Sequence, residues 1–400
     1  MAVGLLSTAN APQNLQEVSF AQAIMRIMPM GSAPLFALTG LLKEETCTNI
    51  EHGYFSKTMV FPSITINAIH TAADTTLTVL AYSHVVPGDM VLNEATNEIM
   101  LITGTPTATT ITVQRGIGVG IGAAATAVGQ NLRTIGNAFE QGSSRPAAVG
   151  IVAERHINNT QIFRDSWAVT KTAAAIPQIA GAGQVQESRQ DCAAFHATAI
   201  EKALFFGQRS MGTRNGQPFH TMEGVIPRIR NAAPGNVTTL GGTTNWTQLE
   251  AALDLTLQQT SNHRGGNVRT LFVGGTARRV IHNIARLNSQ YQITTSDTSW
   301  GLQLDTLRTP RGTFEMIEHP LFNVYGTTSA WARMGVVIDL SVFNLAYLRK
   351  TSDDQYNGRG VQVDNGIDAE GGTLTTELTC LVKNPAACGL LLNFTAAAAG

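Results

Sequence analysis

The stretch that most constrains this chain lies near its C-terminus. There Asp368-Ala369-Glu370-Gly371-Gly372 leads into Thr373-Leu374-Thr375-Thr376-Glu377-Leu378-Thr379-Cys380-Leu381-Val382 and ends at Asn384-Pro385-Ala386-Ala387. Period-two alternation predicts one long strand, with Leu374, Leu378, Cys380 and Val382 on an apolar face and Thr373, Thr375, Glu377 and Thr379 on a polar one. Pro385 lacks the N–H that a ladder needs, which predicts a stop there. The apolar face is expected to pack under a helix, and the Thr/Glu face to meet solvent or a neighbouring molecule.

A helix suited to that role is predicted from Gln184 to Phe206, where Cys192, Phe195, Ala199, Ala203 and Phe206 recur every three or four residues and Gly207 supplies the exit. Before it, the texture is that of short strands: Ile64 to Ile69, Thr75 to Leu80, Met90 to Asn93, Glu98 to Thr103 and Thr110 to Gln114. Pro87-Gly88-Asp89 and Gly104-Thr105-Pro106 mark turns between them. This reads as an all-β insert of residues 64–115, followed by a flexible Gly/Ala-rich link from Gly116 to Gly129 and an extended segment from Phe163 to Thr170. After the long helix, a helix is predicted from Trp246 to Gln259 with Asn245 as cap, then a strand from Thr270 to Val273 and a helix from Thr276 to Leu287. Strands follow near Thr313 to Ile317, Trp331 to Leu340 and Leu345 to Arg349. Ser352-Asp353-Asp354, with Asp364 and Asp368, reads as a solvated loop between strands. At the N-terminus, Ser19 to Met28 reads as a short helix ended before Pro29, too short and apolar to stand alone and so part of an arm laid on a partner surface.

Four hundred residues at 43% hydrophobic exceed the size at which one core stops growing, so two or three subdomains are expected. Charged residues are only 14%, against roughly a quarter in ordinary domains, which points to surface that faces protein. The net charge of -1 and the lack of a basic tail give no support to electrostatic condensation of nucleic acid. Arg228/Arg230, Arg278/Arg279 and Arg308/Arg311 read as solvated surface. Cys47, Cys192, Cys380 and Cys388 form no Cys-x-x-Cys pair and read as buried small hydrophobes in a reducing compartment. No signal peptide or membrane span is expected, because the apolar run from Phe20 to Leu42 is cut by Arg26, Pro29 and Pro34.

Signals for catalysis are weak. Gly118-Val119-Gly120-Ile121-Gly122-Ala123 fits Gly-x-Gly-x-x-Ala after a strand, with Glu140 at about the distance of a ribose-binding acid. It follows a cluster of β-hairpins, however, with no second parallel strand leading to Glu140, so a link is the better account of Gly116 to Gly122. Histidines, among them His196, His282 and His319, never fall into His-x-x-x-His spacing, and no Gly-x-Ser-x-Gly elbow is present. No catalytic, cofactor-binding or metal site is expected.

In order along the chain, several segments resemble the tailed-phage major capsid proteins of the HK97-like fold. Ile27-Met28-Pro29-Met30-Gly31-Ser32-Ala33-Pro34-Leu35-Phe36-Ala37-Leu38 is similar to the N-arm of one branch of that family, followed by His52-Gly53-Tyr54-Phe55 where an E-loop region begins. The segment carrying Pro87-Gly88-Asp89-Met90-Val91-Leu92 is similar to that branch's strand-rich insertion. Gly312-Thr313-Phe314-Glu315-Met316-Ile317-Glu318-His319-Pro320 and the strand from Glu370 to Ala387 resemble the return through the sheet. The resemblance implies an α+β fold with an N-arm (1–50), an E-loop region with the insertion (51–170), a P-domain with a spine helix (171–215), an A-domain (216–335) and P-domain return strands (336–400).

It further implies a structural protein of the virion rather than an enzyme, assembled in the host cytoplasm, with no cofactor and no membrane. Its main partner would be itself, in hexamers and pentamers. Scaffolding, portal and cement or decoration proteins would join it, and contact with packaged double-stranded DNA would be weak and nonspecific. Since the chain begins almost at the arm, scaffolding is expected to be separate or not required. Lys57 and Lys171 are the lysines placed for an isopeptide cross-link, and nothing marks either as reactive, so none is expected. The alternatives are an encapsulin-like compartment shell, another virion component such as a tail protein, and an enzyme holding a nucleotide at Gly116 to Gly122.

Overall fold

The computed structural model describes residues 44–59, 61–82, 84–146, 148, 150–178, 183–259, 267–287, 294–299, 302–356 and 366–398. Of the arm expected at 1–50, residues 1–43, with the helix from Ser19 to Met28, lie outside the described residues, as does Asp364; the last part of that span is described, and Glu45–Thr46 there is a strand paired with Ala346 and Tyr347 of the same chain. The chain forms two compact units, one of them Phe55–His156 and the other built from the sequence on either side of it.

In the Phe55–His156 unit, six strands close into a barrel: Ser63–Ile66, Thr76–Tyr82, Asp89–Asn93, Ile99–Ile102, Thr110–Gln114 and Asn131–Asn137. Alternation sends Ile64, Ile66, Leu77, Val79, Val91, Met100, Ile102, Ile111, Val113 and Leu132 into one aliphatic core. Five strands fall where the sequence places them. The sixth, Asn131–Asn137, was not expected, because only Leu132 among its residues points into the core. It pairs with Ser63–Ile66 on one side and Asp89–Asn93 on the other, which removes both free edges. The insert expected at 64–115 therefore runs to residue 137, and the glycine run expected to be a link is a loop within the barrel.

In the larger unit, a four-stranded sheet has the order Glu45–Thr46, Phe343–Tyr356, Ala369–Val382, Gln161–Thr170. The predicted C-terminal strand is its centre, paired antiparallel with Gln161–Thr170 from Leu378 to Ala369 and with Phe343–Tyr356 on its other edge. The long helix spans Gln184–Phe206, as expected, and lies on this sheet. Ile200, Leu204 and Phe205 share a core with Leu378, Cys380, Val382, Phe163 and Leu345, while Cys192 packs with Trp167 and Leu374. At the helix exit, the Gly207 N–H donates to Ala203 O at 2.9 Å. A Cβ on Gly207 would stand 2.6 Å from that oxygen and 2.7 Å from Met222 O, so only glycine lets the chain pass so closely.

A second, seven-stranded mixed sheet has the order Val237–Thr239, Gly389–Leu392, Gly335–Ile338, Val268–Val273, Thr313–Glu318, Leu302–Arg308, Thr294–Ser299. Alternate residues of its middle strands feed two cores. Leu271, Val273, Met316, Val337 and Leu391 meet the helices Trp246–Asp254 and Gly275–Leu287, whereas Phe272, Ile317, Val336, Ile338 and Leu390 meet Phe205 and the helix Val225–Ala232. Asn245 caps Trp246–Asp254 in a reciprocal pair with Gln248. That helix ends earlier than expected, in a 3-10 turn at Leu255–Leu257.

Three readings of the sequence require correction, and one holds with an addition. The Thr/Glu face of the central strand is buried, for Thr375, Glu377 and Thr379 are all inside the protein. The central strand stops at Val382, before Pro385, as expected; beyond it a 3-10 turn at Pro385–Ala387 leads into a further strand, Gly389–Leu392, which joins the seven-stranded sheet. Ser352, Asp353 and Asp354 are no loop but sit within Phe343–Tyr356, opposite Thr375, Leu374 and Thr373. The expected strand from Trp331 to Leu340 is only Gly335–Ile338. The hairpin Ser210–Arg214 with Gln217–Thr221 and the helix Val225–Ala232 were not foreseen.

Candidate assembly surface

The glycine run has a structural purpose that its motif does not suggest. Arg115, at the end of Thr110–Gln114, donates from Nε to Glu98 Oε1 and from Nη2 to Oε2, both at 2.7 Å. The same carboxylate accepts from the Gly116 and Ala124 N–H groups at 3.1 Å each. A buried ion pair thus clamps the two ends of the loop together, while Gly118 and Gly120 between them adopt positive φ values of 144° and 89°. No helix follows the loop, and the next strand, Asn131–Asn137, is antiparallel to its barrel neighbours; Glu140 is exposed beyond it. A strand–loop–helix cradle for a dinucleotide is not what these residues build. Burial alone raises the Glu98 pKa, but the bonds from Arg115, Ala124 and Gly116 and the guanidinium charge outweigh it and hold the carboxyl below its ordinary value.

Each singled-out histidine has a carboxylate beside it and holds elements together. His196 Nδ1 is 2.7 Å from Asp165 Oδ2, His319 Nε2 is 2.9 Å from Glu201 Oε1, and His282 Nε2 is 3.1 Å from Asp305 Oδ2. Among the described residues no three His, Cys, Asp or Glu side chains are grouped to hold a metal ion. The four cysteines are unpaired and buried. Burial pushes Cys380 and Cys388 up to about 12, which leaves them as thiols at neutral pH and inert as nucleophiles.

Two of the arginines read as solvated surface are structural. Arg278 binds Asp305 Oδ2 through Nη2 at 2.6 Å and Glu318 Oε2 through Nη1 at 2.9 Å, and Arg228 donates to the Tyr54 hydroxyl at 3.1 Å. Arg311 lies 3.6 Å from Asp254 on the surface. Lys57 is exposed, and Lys171 Nζ lies 3.6 Å from Asp368 Oδ1, also at the surface.

Several large apolar side chains are exposed as well. On the Phe55–His156 unit, Phe55, Met59, Phe61, Ile69, Leu80, Val119 and Val152 are all exposed. On the larger unit, Phe195 stands 70% exposed on the long helix beside a groove of about 440 Å³ lined by Trp167, Val169, Asp191 and Cys192. The sequence placed Phe195 in the helix's buried stripe, but that stripe is Cys192, His196, Ile200 and Leu204. His196 reaches the interior because Asp165 and Thr376 satisfy its ring there, and this rotates Phe195 outward.

No helix among the described residues is long and apolar enough to cross a membrane. The chain is similar over 97% of its length to the major capsid protein of Pseudomonas phage PaMx41, with 38% identity and 95% of that relative covered. Among solved structures it is similar to the capsid of a native GTA particle, at 10% identity and a TM-score of 0.48 with 99% of this chain and 100% of that one covered. It is also similar to a structure from Gordonia phage Cozz, at 11% identity and a TM-score of 0.47 with 98% and 96% covered. These structural likenesses are distant, and the assignment stands on the sequence matches. Since the sequence model of the SU10 major capsid protein family matches residues 7–395, the chain belongs to that family, as a structural protein of the virion capsid and not an enzyme.

Proposed function

We propose that copies of this chain associate into hexamers and pentamers that tile the head shell of a tailed phage around its double-stranded DNA, with an HK97-like subunit fold. The chain is a major capsid protein, and the observation that carries the reading is the family match across almost its whole length. Agreement comes from the order of elements: a 23-residue helix on a sheet with two 14-residue strands, a separate mixed sheet, and an inserted barrel. In this reading Gln184–Phe206 is the spine helix of the P-domain, and the seven-stranded sheet with its helices is the A-domain. Exposed apolar groups on both units then supply many weak heterologous contacts that sum to a stable lattice. Scaffolding, portal and cement proteins and weak contact with packaged DNA belong to the same proposal.

Electron microscopy of the purified protein tests it. Closed shells, or rings of five and six subunits, are expected; tubes or isolated subunits under every salt condition would refute it.

A further inference from the structure

One end of the barrel carries a groove built around an irregularity in the sheet. In the pair Asp89–Asn93 and Asn131–Asn137, Asp89 is opposite Asn137 and Met90 opposite Gly136, yet Val91 is opposite Thr134. Ile135 is therefore an extra residue, and Gly136 after it takes a φ of 146°. Bulges of this kind at the rim of a barrel re-aim the side chains beside them. Thr134, Gly136 and Asn137 from one strand and Asp89 from the other line the groove, which has a volume of about 470 Å³. That volume falls within the roughly 300–1,000 Å³ of small-molecule clefts.

Phe139 supplies the apolar part of the lining. The Ala138 N–H donates to Gly88 O at 2.8 Å, which ties this segment to the turn before Asp89. Gly88 has a φ of 96°, and a Cβ there would stand 2.4 Å from Phe139 Cε1 and 2.6 Å from Cζ. Only glycine lets the ring lie so close to the backbone. The ring is held on that side and is still 42% exposed, with Pro62 and Pro146 in the same lining.

Polar groups converge on the same groove. Asp89 Oδ2 accepts from the Val86 N–H at 2.9 Å, which sets the carboxylate in place, and a carboxylate has capacity to accept further bonds. The Thr134 hydroxyl donates to Pro62 O at 3.0 Å, which leaves its oxygen as an acceptor. Asn137 is exposed, and its amide can both donate and accept. His84 in the lining takes a left-handed φ of 54°, and among the described residues every other non-glycine residue with a positive φ is an asparagine. Backbone held in that region gathers at ligand-binding positions.

The charge of the lining selects among ligands. Among the described residues that line the groove there is no lysine or arginine, and Asp89 is the one carboxylate. An anion such as a phosphate would meet that carboxylate with no cation to oppose it. An organic cation would find a single aromatic ring instead of a cage of several. A wholly apolar ligand would cover Asp89, Thr134 and Asn137 without giving them partners. A ring with hydroxyls on its rim and C–H groups on its faces satisfies every part of the lining. Its hydroxyls pair with the polar side chains, and its C–H groups lie against the negative face of the aromatic ring.

We infer that this groove binds a neutral saccharide, with Phe139 as the stacking platform and Asp89, Asn137 and Thr134 as the partners of its hydroxyls. The site lies wholly within the Phe55–His156 unit, so it goes beyond the role of the chain as a shell subunit and does not depend on assembly. Its contacts are few, so a single sugar binds weakly and calls for a method that reads weak ligands.

Saturation-transfer difference NMR on the purified full-length protein tests this. The probes are the methyl glycosides of glucose, galactose, mannose and N-acetylglucosamine, the disaccharides maltose and lactose, and, as charged controls, methyl glucuronide and choline. Saturation is expected to reach the C–H protons of at least one neutral sugar, and to reach either charged control less. Phe139→Ala should weaken that binding about tenfold, the worth of one aromatic contact. Asn137→Ala should weaken it about fivefold, as the loss of one hydrogen bond does. Asn137 is exposed, so that variant decides should Phe139→Ala disturb the barrel. Stronger transfer to the disaccharides would assign the groove to a saccharide chain and equal transfer to a free sugar, and both uphold the proposal. No transfer to any neutral sugar, a preference for either charged control, or binding undiminished in the folded variants would overturn it.

Discussion

The barrel strands and the central strand Ala369–Val382 share an alternating sequence, yet they bury different halves of it. In the barrel, Leu77 and Val79 point in while Thr76 and Leu80 are exposed, and Ile111 and Val113 point in while Thr112 and Gln114 are exposed. In the central strand every residue from Leu374 to Val382 is buried. The difference is one of layers. A small closed barrel has a single interior, so one face of each strand must meet water or a partner, whereas a central strand covered on both faces has no such face. Polar residues can then be buried if partners come from far along the chain. Glu377 accepts from Thr160 at 3.0 Å, across 217 residues, and from Arg349 at 2.8 Å.

Substitutions sharpen this contrast. Leu378→Asp should have the largest effect, because it places a charge where the long helix and the sheet share their core; no soluble folded protein is expected, and a cooperative thermal transition would show the facing to be wrong. Next comes Glu98→Gln, which leaves the Arg115 charge buried without its counter-charge and should cost about 3–5 kcal/mol. That loss should be confined to the barrel, with faster hydrogen exchange across residues 63–137 and none across 369–382. Glu377→Gln should cost less, about 1–3 kcal/mol, since its Arg349 partner is half exposed and the amide can still accept from Thr160. Smallest of all, Leu80→Lys on the outer wall of the barrel should change the stability of the isolated subunit by no more than about 0.5 kcal/mol in thermal or denaturant melts.

Acid separates the two regions as well. The Glu98 carboxyl is held below its ordinary value, so its contribution is complete above the unfolded-state carboxylate range and is lost as pH falls through the lower folded value. Exchange in the barrel should accelerate as pH falls below about 4. In Glu98→Gln that acid step should be absent, and an unchanged step would assign it to another group.

How much was legible follows from the same physics. Five barrel strands, the full span of Gln184–Phe206 and the Asn245 cap were readable, because alternation, helical period and capping chemistry are local signals. Asn131–Asn137 was not, since barrel closure recruits a polar strand through its backbone. The buried stripe of the long helix was misplaced because His196 counts as polar until Asp165 and Thr376, 31 residues before it and 180 after it, are known to meet it. Glu98 and Arg115 gave no signal for the same reason, though 17 residues apart with a glycine run beside them. The exposed apolar groups stood in the sequence all along, but only burial separates Phe195 and Val119 from core residues of the same type.

The central claim, that this chain is a shell subunit that covers its exposed apolar surface with copies of itself, is tested most directly by weighing the purified protein in solution across a range of concentrations. The account predicts particles or capsomers whose masses are whole multiples of 42.6 kDa, with five, six or many copies each. A species of 42.6 kDa that persists at the highest concentrations and in every salt would contradict it.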